Sequence, residues 1–313
     1  MHFMLAILIL SIVSTGEPQS LNFTFNGFSG SNLTLDGVAE VNSRGLLKLT
    51  RPSIQQKGHA FYPNLVNFKT PNGTASSFST TFVVAITADG SDVATGGMAF
   101  VISPTKDFTL ALPSQYFGLF NSSTAGGNTS HVIAIELDTV YNSEFSDIDG
   151  NHVGIDLNGL DSTKSASAGY FDESKGKFVN LSLSSGKPIQ VWVDFDSKKQ
   201  EVNVTLGPAK HGKPNITLLS LQQDWSPYLL DSMHVGFSAG TGSVDTSYCV
   251  LGWSFQIDGE ATPLSSRLPR YKKREISKWL TIGLPVILGS LLFILIIFCC
   301  KGSCELEFSF GGQ

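Results

Sequence analysis

Between Glu136 and His152 the chain gathers side chains of the kinds that hold metal ions. The carboxylates Glu136, Asp138 and Asp147 share this short segment with the Asn142 amide and the His152 imidazole. Carboxylates crowded together repel unless positive charge lies between them. No Lys or Arg occurs between His131 and Lys164, so the missing charge is assigned to a metal ion. Imidazole with carboxylates suits a transition ion such as manganese. Carboxylates with an amide and backbone carbonyls suit calcium. Asp138 and Asp147 are placed to bridge the two. An EF-hand does not fit, because counting from Asp147 its turn glycine falls on His152.

Two strands must position these groups. Ile133, Ile135 and Leu137 share one face of the first, leaving Glu136 and Asp138 on the other. On the second, His152 points opposite to Val153, Ile155 and Leu157. Neighbouring strands of this pattern aim Glu136, Asp138 and His152 at one point, with Asn142 and Asp147 on the connecting loop. Similar alternation marks Leu21–Phe25, Phe78–Ile86, Ala99–Ser103, Val132–Asp138, His152–Asn158, Val179–Ser184 and Met233–Ser238, and also Val250–Ile257. Ile189–Phe195 and Val202–Leu206, joined by Ser197-Lys198-Lys199-Gln200, read as a hairpin. Long helical periodicity is absent before residue 276. The pattern predicts an all-β protein, a two-sheet antiparallel sandwich.

The metal-ligand segment resembles the signature of the legume (L-type) lectin family. The resemblance runs from about Leu21 to Ile257 and includes Gly58-His59-Ala60-Phe61-Tyr62, Met98-Ala99-Phe100-Val101-Ile102 and Leu251-Gly252-Trp253-Ser254-Phe255. Thr139-Val140 and Asp147-Ile148-Asp149 make it most similar to the extracellular domains of plant L-type lectin receptor-like kinases. The resemblance implies a jelly roll with calcium and manganese. It implies that Glu136 and His152 hold manganese, that Asp138 and Asp147 bridge both ions, and that Asn142 and the Val140 carbonyl hold calcium. Ser162 is implied to reach the manganese through its shell.

The resemblance also implies a shallow glycan site over the calcium. Of the family's four contact positions only Asn142 is retained. The family's Ala-Asp-Gly reads Thr95-Gly96-Gly97, the glycine that gives a backbone donor reads Gln115, and the aromatic platform reads Val140. Losing an acceptor for sugar hydroxyls costs on the order of 1.5–3 kcal/mol, more than tenfold in affinity. Asp89 and Asp92 are the upstream candidates to replace it. Gly242 and Ser243, in the loop Ala239–Asp245, border the site. The expected partner is a glycan or another cell-surface or cell-wall ligand, with homodimer pairing through the back sheet implied by the family. A jelly-roll glycoside hydrolase is disfavoured: Val140 and Tyr141 stand where a second catalytic carboxylate is needed.

The 313 residues leave room for one large domain, expected at 17–258, and the 22 Phe and 15% charged residues favour a strand-rich globule. A net charge of −5 excludes a nucleic-acid binder of the usual basic kind. Residues 1–16 read as a secretory signal. Asn22, Asn32, Asn72, Asn121, Asn128, Asn180, Asn203 and Asn215 each begin a glycosylation sequon, which places the domain outside the cell. Residues 259–278 read as a basic juxtamembrane linker, 279–300 as a transmembrane helix and 301–313 as a cytoplasmic tail, giving a type I plasma-membrane protein. The basic residues before the span oppose that orientation by the positive-inside rule, but long domains translocate largely regardless of charge. No kinase motif occurs in residues 301–313, so a decoy or co-receptor role is a further expectation. Cys299, Cys300 and Cys304 are candidate acylation sites. Cys249 reads as a small buried hydrophobe.

Overall fold

The computed structural model describes residues 21–88, 94–125, 127, 129–271, 283 and 285–296. The chain divides into two units, Met1–Tyr271 and Lys272–Gln313.

The first unit is built almost wholly of strands. The N-terminal ones are β1 (Asn22–Phe25), β2 (Thr34–Gly37), β3 (Glu40–Val41), β4 (Leu47–Lys48), β5 (Lys57–Phe61) and β6 (Val66–Asn67). Then come β7 (Phe78–Ala88), β8 (Gly96–Ser103), β9 (Ile133–Asp138), β10 (His152–Leu157), β11 (Lys164–Ser167), β12 (Gly169–Asp172) and β13 (Lys177–Asn180). The last are β14 (Ile189–Asp196), β15 (Glu201–Pro208), β16 (Leu219–Gln222), β17 (Ser232–Thr241) and β18 (Thr246–Ile257). One sheet runs β11-β10-β9-β8-β17-β5-β2, with β6 also on β17. The other runs β16-β15-β14-β7-β18-β4-β3, with β1 also on β18. All pairings are antiparallel, so the fold is the expected two-sheet sandwich.

Side-chain alternation explains how the sheets close on one core. In β14, Val191, Val193 and Phe195 are buried while Gln190, Trp192 and Asp194 are half-buried. In β7, Phe82, Val84 and Ile86 enter the main core and the odd-numbered Val83 and Ala85 enter a separate cluster on the outer face. Strand β18 changes parity at an irregularity between Val250 and Gly252, so both Val250 and Trp253 point inward. There Trp253 packs edge-on against Phe237 and Phe23, and its Nε1 donates to Thr80 Oγ1 at 3.0 Å. Such aromatic clusters carry much of the area buried in a core.

Two segments differ from the sequence reading. The run Val179–Ser184 is strand only to Asn180, and pairs with β12 in a separate two-stranded sheet. The Asn151 amide bends the rest of it away, donating to the Leu181 carbonyl and accepting from the Leu183 N–H, each at 2.9 Å. Residues 259–271, polar in composition, pack as a strap where a linker was expected. Leu264, Leu268 and Tyr271 cover Leu46, Val83, Ala85, Cys249 and Leu251 on the outer face of the second sheet. Cys249 is fully buried there, as its setting in sequence suggested.

In the second unit, residues 285–296 are helical. Among the described residues no helix is long and apolar enough to cross a membrane, so the expected transmembrane helix gains no support here. The remainder of the expected span lies outside the described residues except residue 283, as do the signal segment, Asp89, Asp92, Asn128 and the cysteines of the tail.

Candidate functional site

Strands β9 and β10 pair so that His152 stands opposite Asp138 and Gly154 opposite Glu136. The even-numbered side chains of both strands share the sheet's outer face, and Glu136, Asp138 and His152 are all nearly fully buried on it. Each offers a ligand atom, and these atoms lie within 4.8 Å of one another. His152 Nε2 is 3.1 Å from Glu136 Oε1 and 3.8 Å from Asp147 Oδ1. Its other nitrogen, Nδ1, is 2.7 Å from the Asp149 carbonyl, which fixes the ring and makes Nδ1 the donor.

The connecting loop is held by the same carboxylates. Asp138 Oδ1 accepts from the Val140 N–H at 2.8 Å, and Asp147 Oδ2 accepts from the Asn142 N–H at 2.6 Å. Asn142 Oδ1 is buried and has no hydrogen-bond partner. A buried acceptor left unpaired costs roughly 1–3 kcal/mol, and a cation coordinated by it would remove that cost. Ser162 Oγ lies 2.7 Å from both Glu136 Oε1 and Asp156 Oδ1.

Asp156 is the residue that sequence reasoning missed. It is fully buried beside Glu136, and its Oδ2 has no partner. Its place on the same face, two and four residues beyond Gly154 and His152, was the available signal. Gly154 was also missed. A Cβ there would stand 2.9 Å from Glu136 Cδ and still closer to Ser162 Oγ.

Burial and mutual repulsion perturb the ionisation of these side chains. Burial, then the charge of Glu136, pushes the Asp138 carboxyl well above the carboxylate range. Asp156 is raised by the same causes in the same order, and burial raises Asp147. Burial opposes a charged His152, but the hydrogen bond and charge of Glu136 lift it to about 9. A divalent cation would replace these protons. The donor set therefore fits a metal pair: buried carboxylates, one fixed imidazole and one orphaned amide oxygen.

Three loops meet beside this cluster. Thr139 Oγ1 donates to the Gly96 carbonyl at 2.6 Å, and Gly242 N–H donates to the Thr95 carbonyl at 2.9 Å. Gly96 and Gly97 are buried, not displayed to solvent. Gly96 has φ of +96°, and a Cβ on Gly97 would stand 2.9 Å from Phe117 Cζ. Gly96, where the resemblance implies the acceptor, is packed so that only glycine fits, since a Cβ there would strike the Gly240 carbonyl. Gln115, half-buried, donates through Nε2 to Glu144 Oε1 at 3.3 Å. Val140 and Asn142 are half-buried, Gly242 is buried, and Ser243 and Tyr141 are exposed. Of the described sequon asparagines, Asn22, Asn32, Asn72, Asn180 and Asn215 are exposed, and Asn121 and Asn203 are half-buried.

Residues 20–269 match the legume lectin domain. The chain belongs to the legume lectin family. It is 47% identical over 295 residues to L-type lectin-domain containing receptor kinase IV.2 of Arabidopsis thaliana, covering 92% of this chain and 43% of that protein. It is 44% identical over 301 residues to receptor kinase SIT2 of Oryza sativa subsp. japonica, covering 94% of this chain and 45% of that one. The chain therefore spans less than half the length of the curated relatives it matches. Among solved structures, peanut lectin with a 9mer peptide is similar at a TM-score of 0.64 and 25% identity, over 79% of this chain and all of that one. The metal-free form of lectin I-B4 from Griffonia simplicifolia gives 0.63 and 26%, over 75% and 98%. This legume lectin domain thus has the carbohydrate-binding lectin fold and is related to receptor kinase ectodomains.

Proposed function

We propose that the domain recognises a glycan at the outer face of the β9–β10 sheet, on a scaffold stiffened by calcium and manganese. The observation that carries this reading is the buried, unpartnered Asn142 Oδ1 beside a cluster of buried carboxylates and one imidazole. Glu136, Asp138, Asp147 and His152 would hold manganese, with Ser162 and Asp156 closing its surroundings. Asp138, Asp147, Asn142 and the Val140 carbonyl would hold calcium. When bound, the ions supply the positive charge that this cluster lacks and lock the loop that carries Asn142. The Asn142 amide nitrogen then faces the ligand, with Gln115, Ser243 and the exposed Tyr141 at the rim. No residue is assigned a catalytic role.

A second reading, a peptide or cell-wall ligand engaged without a monosaccharide pocket, is favoured by the burial of Gly96 and Gly97. Both readings place the domain outside the cell. The sequons and the receptor-kinase relatives support that location, and with it a membrane-anchored type I arrangement acting in a receptor complex. The test is elemental analysis of the dialysed ectodomain joined to a glycan array with and without chelator. Metal with chelator-sensitive glycan hits supports the first reading. Metal without such hits supports the second, and absence of both ions overturns the metal assignment.

A further inference from the structure

The loop that brings Gln115 to the rim lies over the outer face of the site-bearing sheet, and polar side chains of that sheet grip it from below. Lys57 and His59 project from β5, and Ser238 from β17 stands directly opposite His59. The Lys57 ammonium donates to three carbonyls, Phe108 at 2.8 Å, Thr109 at 2.8 Å and Ala111 at 2.7 Å. An ammonium has three protons, so its donor capacity is filled by one short stretch of loop. His59 Nε2 donates to the Gly118 carbonyl at 2.8 Å, and Ser238 Oγ donates to the Phe117 carbonyl at 2.5 Å. Five carbonyls of residues 108–118 are thus bound by three side chains.

Aromatic packing and a tight glycine reinforce this grip. Phe108 stacks on His59 and on Phe61, with ring centroids 5.1 and 5.8 Å apart. Gly118 has φ of +73°, and a Cβ there would stand 3.0 Å from His59 Nε2. Between these gripped stretches the loop touches the metal-ligand loop. Tyr116 meets Phe145 edge-on at 5.8 Å, beside the Gln115–Glu144 hydrogen bond. The gripped carbonyls at 108–111 and 117–118 thus flank the Gln115–Tyr116 segment that abuts the Asn142 loop.

We infer that Lys57, with His59 and Ser238, forms a clamp whose role is to position the Ser114–Gln115 turn at the ligand site. These are positioning residues, since none of them reaches the rim. The inference rests on the proposed ligand site for its purpose but not for its geometry. A site that has lost side-chain contacts at Gly96 and Val140 depends more heavily on a loop held in advance, because ordering it at binding would lower affinity.

The experiment compares the metal-loaded ectodomain with Lys57→Met and Lys57→Arg. Amide hydrogen exchange is followed by mass spectrometry, with metal content and binding to immobilised galactosyl and mannosyl albumin as further readouts. Lys57→Met is expected to raise exchange in residues 108–121 by about tenfold or more. Exchange in β9 and β10 and the metal content stay unchanged, and Lys57→Arg restores part of the protection. Binding to whichever probe the wild type takes falls by about tenfold in Lys57→Met. Unchanged exchange in 108–121, or an equal rise throughout the domain, overturns the clamp; should Lys57→Met fail to fold, Ser238→Ala, which removes the donor to the Phe117 carbonyl, is expected to raise exchange at 117–121, and no rise there overturns it. Unaltered probe binding with a loosened loop overturns its positioning role. If the wild type takes neither probe, binding to those two sugars fails while the exchange comparison still decides the clamp.

Discussion

Gly154 faces Glu136 across the β9–β10 pair, and the Glu136 carboxylate occupies the space that the missing Gly154 side chain leaves. The metal-ligand cluster depends on this vacancy, because Glu136 must fold back over the strand to reach both His152 and Ser162. Gly154→Ala is expected to displace Glu136 at a cost of roughly 1–3 kcal/mol in the packed sheet. Manganese affinity should fall by about 10–100-fold. Elemental analysis with a thermal melt of the same preparation checks both. Full manganese occupancy in Gly154→Ala would show that Glu136 does not need the cradle.

Asn142 gives a test that separates metal binding from folding. Its Oδ1 is a buried acceptor without a partner. In chelator, Asn142→Ala removes an unsatisfied group and is expected to leave stability unchanged or raise it by up to about 1 kcal/mol. In calcium the same substitution removes a ligand, and calcium affinity should fall more than about tenfold. Calorimetric titration of calcium and paired melts in EDTA measure the two effects. A loss of stability in EDTA equal to that in calcium would contradict the assignment.

The metal-free domain should lose stability as pH rises. Asp138 and Asp147 have carboxyls raised by burial. Above about pH 4, where the unfolded chain releases these protons, the native state still holds them. Stability then falls with pH through that window, because the native state binds more protons than the unfolded one. His152 acts in the same direction, since it keeps its proton to about 9 against about 6.5 unfolded. Its contribution is complete below about pH 6.5 and is lost through about 9. Metal binding displaces protons and is favoured by rising pH, so the gain in Tm from calcium and manganese should widen from pH 5 to pH 8. A metal-free Tm that rises over that interval would contradict this account.

How much of this was legible follows from the range of the interactions. Alternation alone placed Glu136, Asp138 and His152 on one face, and the Ile189–Leu206 hairpin emerged as β14 and β15. Asp156 was hidden because a lone acid at the end of an apolar strand reads as its solvated terminus. Lys57 and His59 act on residues 108–118, about fifty positions away, and residues 104–121 have no periodicity to announce that they cover a sheet. The strap at 259–271 was read as linker because only a few of its side chains are apolar. What makes it structural is the outer-face stripe of Val83, Ala85, Cys249 and Leu251, far away in sequence.

That strap makes Cys249 a reporter of its own integrity. The thiol is fully buried beneath Leu264, Leu268 and Tyr271, and burial pushes it up to about 12. A thiol in that state carries almost no thiolate at neutral pH and is inert to disulfide reagents. Leu268 fills the space over Gly252, where a Cβ would stand 2.7 Å from Leu268 Cδ2. Tyr271 adds a hydrogen bond to Thr87. Leu268 is half-buried over this stripe, so Leu268→Ala should cost about 1–2 kcal/mol and speed labelling of Cys249 by about tenfold or more, while metal content stays unchanged. Reaction with a coloured disulfide reagent, followed under native conditions and again in denaturant, gives the rate and the total. If Cys249 in the intact domain reacts as fast as free cysteine, the strap does not seal this face, and the stripe beneath it is open to a partner.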